Sequence, residues 1–369
     1  MLKILVCFGT RPEAIKMAPL IYELKRQQLD CKVCVTAQHR EMLDQVLKFF
    51  EIVPDYDLDL MRADQSLNTL SGKILISIDN VLSKVKPDLL IVHGDTTTSV
   101  MAAWAAFHRK IKVAHVEAGL RTFNSLSPFP EEINRQITAR LTDYHFAPTI
   151  KARDNLLLEN IPKNDIYMTG NTIVDAVSLG ILKLQNIDES EIISETGILP
   201  KRFILVTGHR RESFGKGFEL ICEALIQITK TEKIDIIYPV HLNPYVKNHV
   251  YKKLENIENI HLINPVSYPT MLYLLKNCEF IISDSGGIQE EAPAFGKKVL
   301  VTRDFSERME GVEAGLSILV GTSKEKIIKE VSLLLKASKS KASFNNPYGD
   351  GKAAKRIVKI IIENLGVKE

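Results

Sequence analysis

Residues 284–291 read Asp284-Ser285-Gly286-Gly287-Ile288-Gln289-Glu290-Glu291, and their reading decides the fold. They follow a short apolar run, Phe280-Ile281-Ile282-Ser283, that reads as a buried parallel strand. They lead into residues 288–295, which read as the start of a helix. Two adjacent glycines at a strand-to-helix turn let a ligand approach the backbone closely. The N–H groups of a helix start then face that ligand and favour an anion. Glu291 is predicted about one turn into the helix, where it can accept hydrogen bonds from sugar hydroxyls. The bland alternative is a tight turn with a solvent-facing Glu, since Gly-Gly turns are common.

Outward from this stretch the same grammar repeats. In the N-terminal half, strands are predicted at 3–8, 32–36, 89–93, 113–116 and 144–147. Helices are predicted between them at 41–50, 67–84, 97–108 and 132–141, after a first helix whose Met17, Leu20, Ile21 and Leu24 keep core-facing spacing. Pro19 lies inside that first helix as a candidate kink. Residues 187–200 are more polar and weakly periodic, and with the helix before them they are predicted to be the linker. The pattern then restarts, with strands at 203–207, 235–240, 260–263, 280–283 and 298–301, a helix at 218–229 and a last helix at about 353–364. Strand–helix alternation of this kind predicts parallel sheets with helices on both faces, so the fold class is α/β, doubly wound twice over. The expected domains are 1–175 and 176–350, with 351–369 as a C-terminal helix that packs back on the first domain. Ligands of such sheets bind beyond the carboxyl ends of the strands.

Size and composition fit two soluble domains: 369 residues, 45% hydrophobic and 25% charged. A net charge of +3 is too small to argue for nucleic acid or a membrane surface. Five scattered cysteines, including Cys31 and Cys34 within a strand-like run, read as reduced thiols rather than a zinc or redox site, and suit a reducing cytoplasm. Residues 1–8 are too short for a signal-peptide core, and no stretch approaches a membrane span.

The informative residues fall just after the predicted strands. Gly9-Thr10-Arg11-Pro12-Glu13 and then Lys16 follow the first; Arg11 and Lys16 can face an anion, or simply be solvated charges on a capped helix. His93-Gly94-Asp95-Thr96 follows the third, where Asp95 also suits a helix N-cap. Glu117 directly follows the Val-rich fourth strand, a poor place for a merely solvated carboxylate. Glu131 and Glu132 open a helix after Pro130 and suit its dipole in any case. In the second half Gly208-His209-Arg210-Arg211-Glu212 puts an imidazole and two guanidiniums at a strand end, and Arg308 adds another phosphate contact. Carboxylates can serve as general acid and base, and cationic groups stabilise a departing phosphate. No dinucleotide fingerprint, Walker sequence or clustered metal-ligand motif is present in the sequence. The residues alone therefore point to a two-domain α/β enzyme acting on a phosphate-bearing ligand, most simply a nucleotide.

Six ordered segments carry a resemblance. They are Gly9-Thr10-Arg11-Pro12-Glu13-Ala14-Ile15-Lys16, Thr36-Ala37-Gln38-His39-Arg40, His93-Gly94-Asp95-Thr96-Thr97, His115-Val116-Glu117-Ala118-Gly119-Leu120-Arg121, Gly208-His209-Arg210-Arg211-Glu212, and 284–291. The chain resembles non-hydrolysing UDP-N-acetylglucosamine 2-epimerases of bacterial type, from about Leu2 to the segment 346–351. The resemblance implies a GT-B-like fold of two Rossmann-like domains with the active site in the cleft between them, usually as a cytoplasmic homodimer. It implies interconversion of UDP-GlcNAc and UDP-ManNAc without nicotinamide, metal or other cofactor, through elimination of UDP to 2-acetamidoglucal and re-addition. It implies that Asp95, Glu117 and Glu131 share the acid and base roles and that His209 helps UDP depart. It places Arg11 and Lys16 along the substrate, the diphosphate on Ser285, Gly286 and Gly287, the ribose on Glu291, uracil on the backbone of Met271, and Arg308 near the nucleotide. Many members bind a second UDP-GlcNAc as an activator; Gln38, His39, Arg40 and His241 are the candidates for it here. The product then feeds cell-surface polysaccharides. Three rivals remain at this point: a GT-B glycosyltransferase, a hydrolysing epimerase that releases UDP and free ManNAc, and a sugar-nucleotide-binding regulator without turnover.

Overall fold

The computed structural model describes residues 2–37, 40–62, 65–185, 187–208, 215–306, 308–337 and 346–366. The chain divides into two compact units, Met1–Leu179 with Tyr348–Glu369, and Gly180–Pro347. The breaks thus fall at 179/180 and 347/348, against the 175/176 and 350/351 set from sequence.

The first unit is built on seven strands: β1 Lys3–Phe8, β2 Asp30–Val35, β3 Tyr56–Asp57, β4 Leu89–His93, β5 Lys112–Val116, β6 Tyr144–Ala147 and β7 Ile166–Met168. Every pairing is parallel, in the order β3-β2-β1-β4-β5-β6-β7. The chain therefore winds outward in both directions from β1 and β4, and the crevice at that switch point is where such sheets take ligands. The strands are buried on both faces, which is why they read as continuous apolar runs. On one face Leu5, Cys7, Leu90 and Val92 pack against Ile74, Ile78 and Leu82 of the helix Leu67–Val85 and against Ala102, Ala103 and Ala106 of the helix Thr97–His108. The C-terminal helix Ala353–Leu365 packs on the first helix, Arg11–Arg26.

The second unit repeats the plan with six strands: β8 Phe203–Thr207, β9 Asp235–Pro239, β10 Ile260–Ile263, β11 Ile281–Ser283, β12 Val299–Val301 and β13 Ser317–Leu319. Their order is β10-β9-β8-β11-β12-β13, again all parallel. Alternate residues of β8 serve opposite cores: Ile204 and Val206 face the helix Lys216–Glu232, while Phe203 and Leu205 pack with Leu274 and Leu275 of the helix Tyr268–Asn277. Both units are doubly wound and Rossmann-like, which makes the chain GT-B-like in class.

The first helix runs over 16 residues with Pro19 inside it, behind a capping box of Thr10 and Glu13. Two sequence expectations change. The segment expected as linker contains the helix Glu189–Thr196, capped by Asp188. Polar contacts dock it: Tyr273 donates to Glu189 at 2.6 Å, and Glu195 accepts from Ser267 and Thr270. A helix held in this way needs little apolar periodicity. The short strands β3, β7 and β13 are additions to the strands read from sequence.

Candidate active site

The first unit's site grows from the loops after β1, β4 and β5. Glu13 ties two of these loops together. Its Oε2 accepts the N–H groups of Gly9 at 3.0 Å and Thr10 at 2.8 Å, and its Oε1 accepts the hydroxyls of Thr96 at 2.8 Å and Ser99 at 3.2 Å. Burial raises the pKa of this carboxyl, and the hydrogen bonds oppose that shift. The loops on either side of the switch point are thereby fixed to one another.

Glu117 leaves β5 with φ of 66°, a left-handed conformation that costs a non-glycine residue roughly 1–2 kcal/mol. Gly119 follows at φ of 91°, where an added Cβ would lie 2.1 Å from the Ala152 carbonyl oxygen, so only glycine fits. The sharp turn aims the Glu117 carboxylate back across the strand ends. There its Oε2 is ion-paired with Lys16 Nζ, and Asn171 Nδ2 donates to the same oxygen at 3.2 Å. His93, the last residue of β4, puts Nε2 at 3.8 Å from it. Both ring nitrogens of His93 are buried without a hydrogen-bond partner among the described residues. Burial pushes this imidazole down to about 4 despite the pull of Glu117, so at neutral pH it carries no charge. Glu117 thus meets the positive charge of Lys16 and the neutral amide donor of Asn171, with the uncharged His93 imidazole beside it.

Asp95 is not the N-cap that its position suggested. Thr96 takes that role, accepting the Ser99 N–H at 3.2 Å, because its side chain is one residue closer to the first helical turn. Asp95 Oδ2 instead pairs with Arg135 of the helix Glu131–Leu141, and Asn134 donates to the Asp95 carbonyl at 3.0 Å. The two carboxylates opening that helix part company. Glu132 is fully buried and accepts the Thr122 and Phe123 N–H groups at 3.0 and 3.1 Å, which makes it structural. Glu131 is half-buried, and its side chain makes no hydrogen bond or ion pair among the described residues. Arg11 sits half-buried at the start of the first helix, and Arg121 is spent on Glu159 at 2.6 Å.

In the second unit the adjacent strands β8 and β11 form the corresponding switch point. Thr207 and Ser283 end the two adjacent strands and share a hydrogen bond of 2.6 Å. Ser283 Oγ then accepts the Ser285 N–H at 3.0 Å, and Ser285 caps the helix Gly286–Glu291. Neither Gly286 nor Gly287 needs a positive φ. The reason for Gly286 is space: an added Cβ would lie 2.7 Å from Arg308 Cζ. Arg308 lies across this glycine and donates from Nε to the buried Glu290 at 3.0 Å. Glu291, expected one turn into the helix, is its buried last residue. Met271 is half-buried on the helix Tyr268–Asn277, with its N–H bonded to the Ser267 carbonyl at 2.9 Å.

The candidates for a second ligand divide. Arg40 is held by Asp44 at 3.0 Å and Asp57 at 2.6 Å, and His241 is exposed and accepts the Asn243 N–H at 3.1 Å. Gln38, His39 and His209 lie outside the described residues.

Comparison with known proteins adds the decisive observation. The family model for UDP-N-acetylglucosamine 2-epimerase matches residues 22–362. The chain belongs to the UDP-N-acetylglucosamine 2-epimerase family. It is 50% identical to the UDP-N-acetylglucosamine 2-epimerase of Campylobacter jejuni, over 98% of this chain and 97% of that one. It is also 50% identical to that of Escherichia coli strain K12, over 98% and 99%. The crystal structure of the Neisseria meningitidis UDP-GlcNAc 2-epimerase bound to UDP-GlcNAc superposes with a TM-score of 0.91, at 45% identity, over 98% of this chain and 100% of that one.

Within this epimerase, four residues that sequence reading passed over touch the expected site groups. They are His93 and Asn171 beside Glu117, Arg135 on Asp95, and Glu290 on Arg308. His93 carried a signal, since it directly precedes Gly94-Asp95 at a strand end. Glu290 carried one as the second carboxylate of a Glu-Glu pair. Asn171 and Arg135 carried none, because their partners lie 54 and 40 residues away in the chain.

Proposed function

We propose that this epimerase interconverts UDP-N-acetylglucosamine and UDP-N-acetylmannosamine by the non-hydrolysing route. The observation that carries the reading is Glu117: a carboxylate aimed by a left-handed turn, ion-paired with Lys16, hydrogen-bonded by Asn171, and flanked by a neutral buried imidazole. Such a group is prepared to take a proton from carbon. The Neisseria relative bound to UDP-GlcNAc supports the choice of substrate.

In this mechanism a carboxylate removes the C2 proton while the C1–oxygen bond to UDP breaks. The C2–H electron pair becomes the C1=C2 double bond of 2-acetamidoglucal, and the diphosphate leaves with the C1–O pair. In the return step a proton is delivered to the other face of C2 and the UDP oxygen adds back to C1, giving the C2 epimer. Asp95, Glu117 and Glu131 supply the acid and base groups. Ser285, Gly286 and Gly287 hold the diphosphate with Arg308, Glu291 holds the ribose, and Met271 lies against uracil. Arg11 contributes a further cation, and His209 assists departure of UDP.

The proposal extends to a cytoplasmic homodimer that supplies ManNAc units for surface polysaccharides and is activated by a second UDP-GlcNAc. Exposed Trp104 and Phe107, three residues apart on one helix, support self-association. Five buried free cysteines support a reducing compartment. Light scattering reporting a monomer would remove the dimer, and hyperbolic rather than sigmoidal rates would remove the activator.

The deciding experiment is proton NMR of the protein with UDP-GlcNAc in D₂O and no added cofactor. UDP-ManNAc carrying deuterium at C2 is the expected product. Free ManNAc with UDP would mean hydrolysis, and an unchanged spectrum with binding shown separately would mean a transferase or a regulator.

A further inference from the structure

Glu117 is held from a direction that its own loop does not supply. Asn171 is buried where β7 hands over to the helix Thr172–Leu184, and each of its polar groups has a different partner. The backbone N–H donates to the Tyr348 carbonyl at 2.8 Å. Side-chain Oδ1 accepts the Ile173 N–H at 3.0 Å, which caps the helix. Because Oδ1 is engaged with a donor, the amide orientation is fixed and Nδ2 must face Glu117 Oε2, at 3.2 Å.

The segment behind Asn171 is locked by the returning C-terminal chain. Gly170, at φ of 88°, packs against Gly349, so that an added Cβ would lie 3.6 Å from the Gly349 Cα. Asp175 accepts the N–H groups of Ala353 and Ala354 at 3.1 and 3.0 Å, pinning the start of the C-terminal helix. Arg356 donates to the Thr169 carbonyl at 3.1 Å. The return of residues 348–356 to the first unit thus sets the position of an amide that touches the Glu117 carboxylate.

We propose that Asn171 is a positioning residue for Glu117, and that the C-terminal return is the brace that sets it. The amide fixes the carboxylate rotamer and satisfies an oxygen that would otherwise turn wholly toward Lys16. This inference rests on the reading of Glu117 as a proton-transfer group.

A purely structural Asn171 would be only a helix cap, and Asp caps as well as Asn. Asn171→Asp therefore separates the two roles: it keeps the cap, removes the donor, and sets a second carboxylate against Glu117. The expected result is a folded variant with a lowered melting temperature, since two carboxylates then share one buried site, KM within about twofold, and kcat lower by roughly a hundredfold, the scale of a misplacement of about 1 Å. Asn171→Ser, which keeps a capping hydroxyl but not the reach, should fall in the same way and decides the matter if the Asp variant does not fold. Parental kcat in the folded variant, or a raised KM with kcat unchanged, overturns the proposal. Glu117→Gln run beside them tells the two failures apart. If that variant still exchanges C2 hydrogen with solvent, the reading of Glu117 is wrong. If it is inactive while Asn171→Asp is normal, only the role of Asn171 is lost.

Discussion

The two sheets share one winding order but are made of different chemistry where it matters. In the first unit the adjacent strands β4, β5 and β6 carry His93, His115 and His145, and Glu117 follows directly on β5. The strands in the same places of the second unit, β11, β12 and β13, carry Ser283 and Ser317 and otherwise only aliphatic residues. One sheet thus brings imidazoles and a carboxylate to its strands and their ends, and the other brings hydroxyls, backbone N–H groups and a guanidinium. The fold provides equivalent positions, and the side chains placed there differ in kind, which is the basis of the proposed division between proton transfer and anion binding.

The largest effect that sharpens this contrast is expected from Glu117→Gln. Epimerisation and C2 exchange should fall by roughly a thousandfold, the scale of general acid–base catalysis, while UDP binding measured by calorimetry stays within about twofold. Weakened UDP binding with chemistry intact would erase the division of labour.

Acid should separate the units next. Burial holds His93 to about 4, His115 to about 3 and His145 to about 4. Their folded pKa values lie below the ordinary value of about 6.5. The stability they contribute is therefore present above that value and lost as pH falls from it toward 4 and 3, because the unfolded chain takes up protons that the folded one refuses. By pH 5 this amounts to up to about 2 kcal/mol for each imidazole. The described histidines of the second unit, His241, His249 and His261, are exposed or half-buried. Hydrogen exchange read by mass spectrometry between pH 7 and 4.5 should show the first unit opening first. Simultaneous opening would mean that the buried imidazoles do not set its acid limit.

Gly119→Ala should act on the first unit's stability. The new methyl would lie 2.1 Å from the Ala152 carbonyl oxygen in a backbone conformation that already disfavours it. A loss of about 3 kcal/mol or more is expected in urea unfolding, with the second unit's transition unmoved. A mild effect would show that the turn after Glu117 can relax.

What the sequence made legible follows from locality. Strand–helix alternation is written in consecutive residues, and so were both sheets, apart from the two- and three-residue strands β3, β7 and β13. Glu117 stood out because a carboxylate after Val113-Ala114-His115-Val116 has no cheap explanation there. The pairings were not legible. Asp95 read as a cap, and only the placement of Arg135 on a later helix shows where the carboxylate went. Asn171 lies in an ordinary Gly-Asn-Thr turn, and its meaning depends on two segments, one 54 residues earlier and one at the far end of the chain.

The smallest expected effect tests the anion side of the comparison, through two glycines that look interchangeable in sequence. At Gly286 an added methyl meets the Arg308 guanidinium at 2.7 Å. That side chain is flexible, so it moves and loosens its bond to Glu290 rather than unfolding the unit. UDP affinity should weaken by roughly tenfold, the cost of one charge-assisted contact, with the melting temperature preserved. At exposed Gly287 the nearest atom to an added methyl is Ser285 Oγ at 3.8 Å, so the protein itself has room. Any affinity lost in Gly287→Ala must then come from the ligand approaching that backbone. Equal weakening in both variants would mean that the diphosphate crowds the turn itself. Weakening in Gly286→Ala alone would mean that the first glycine serves Arg308 and that the second is not approached, which would move the diphosphate off the 286–287 turn.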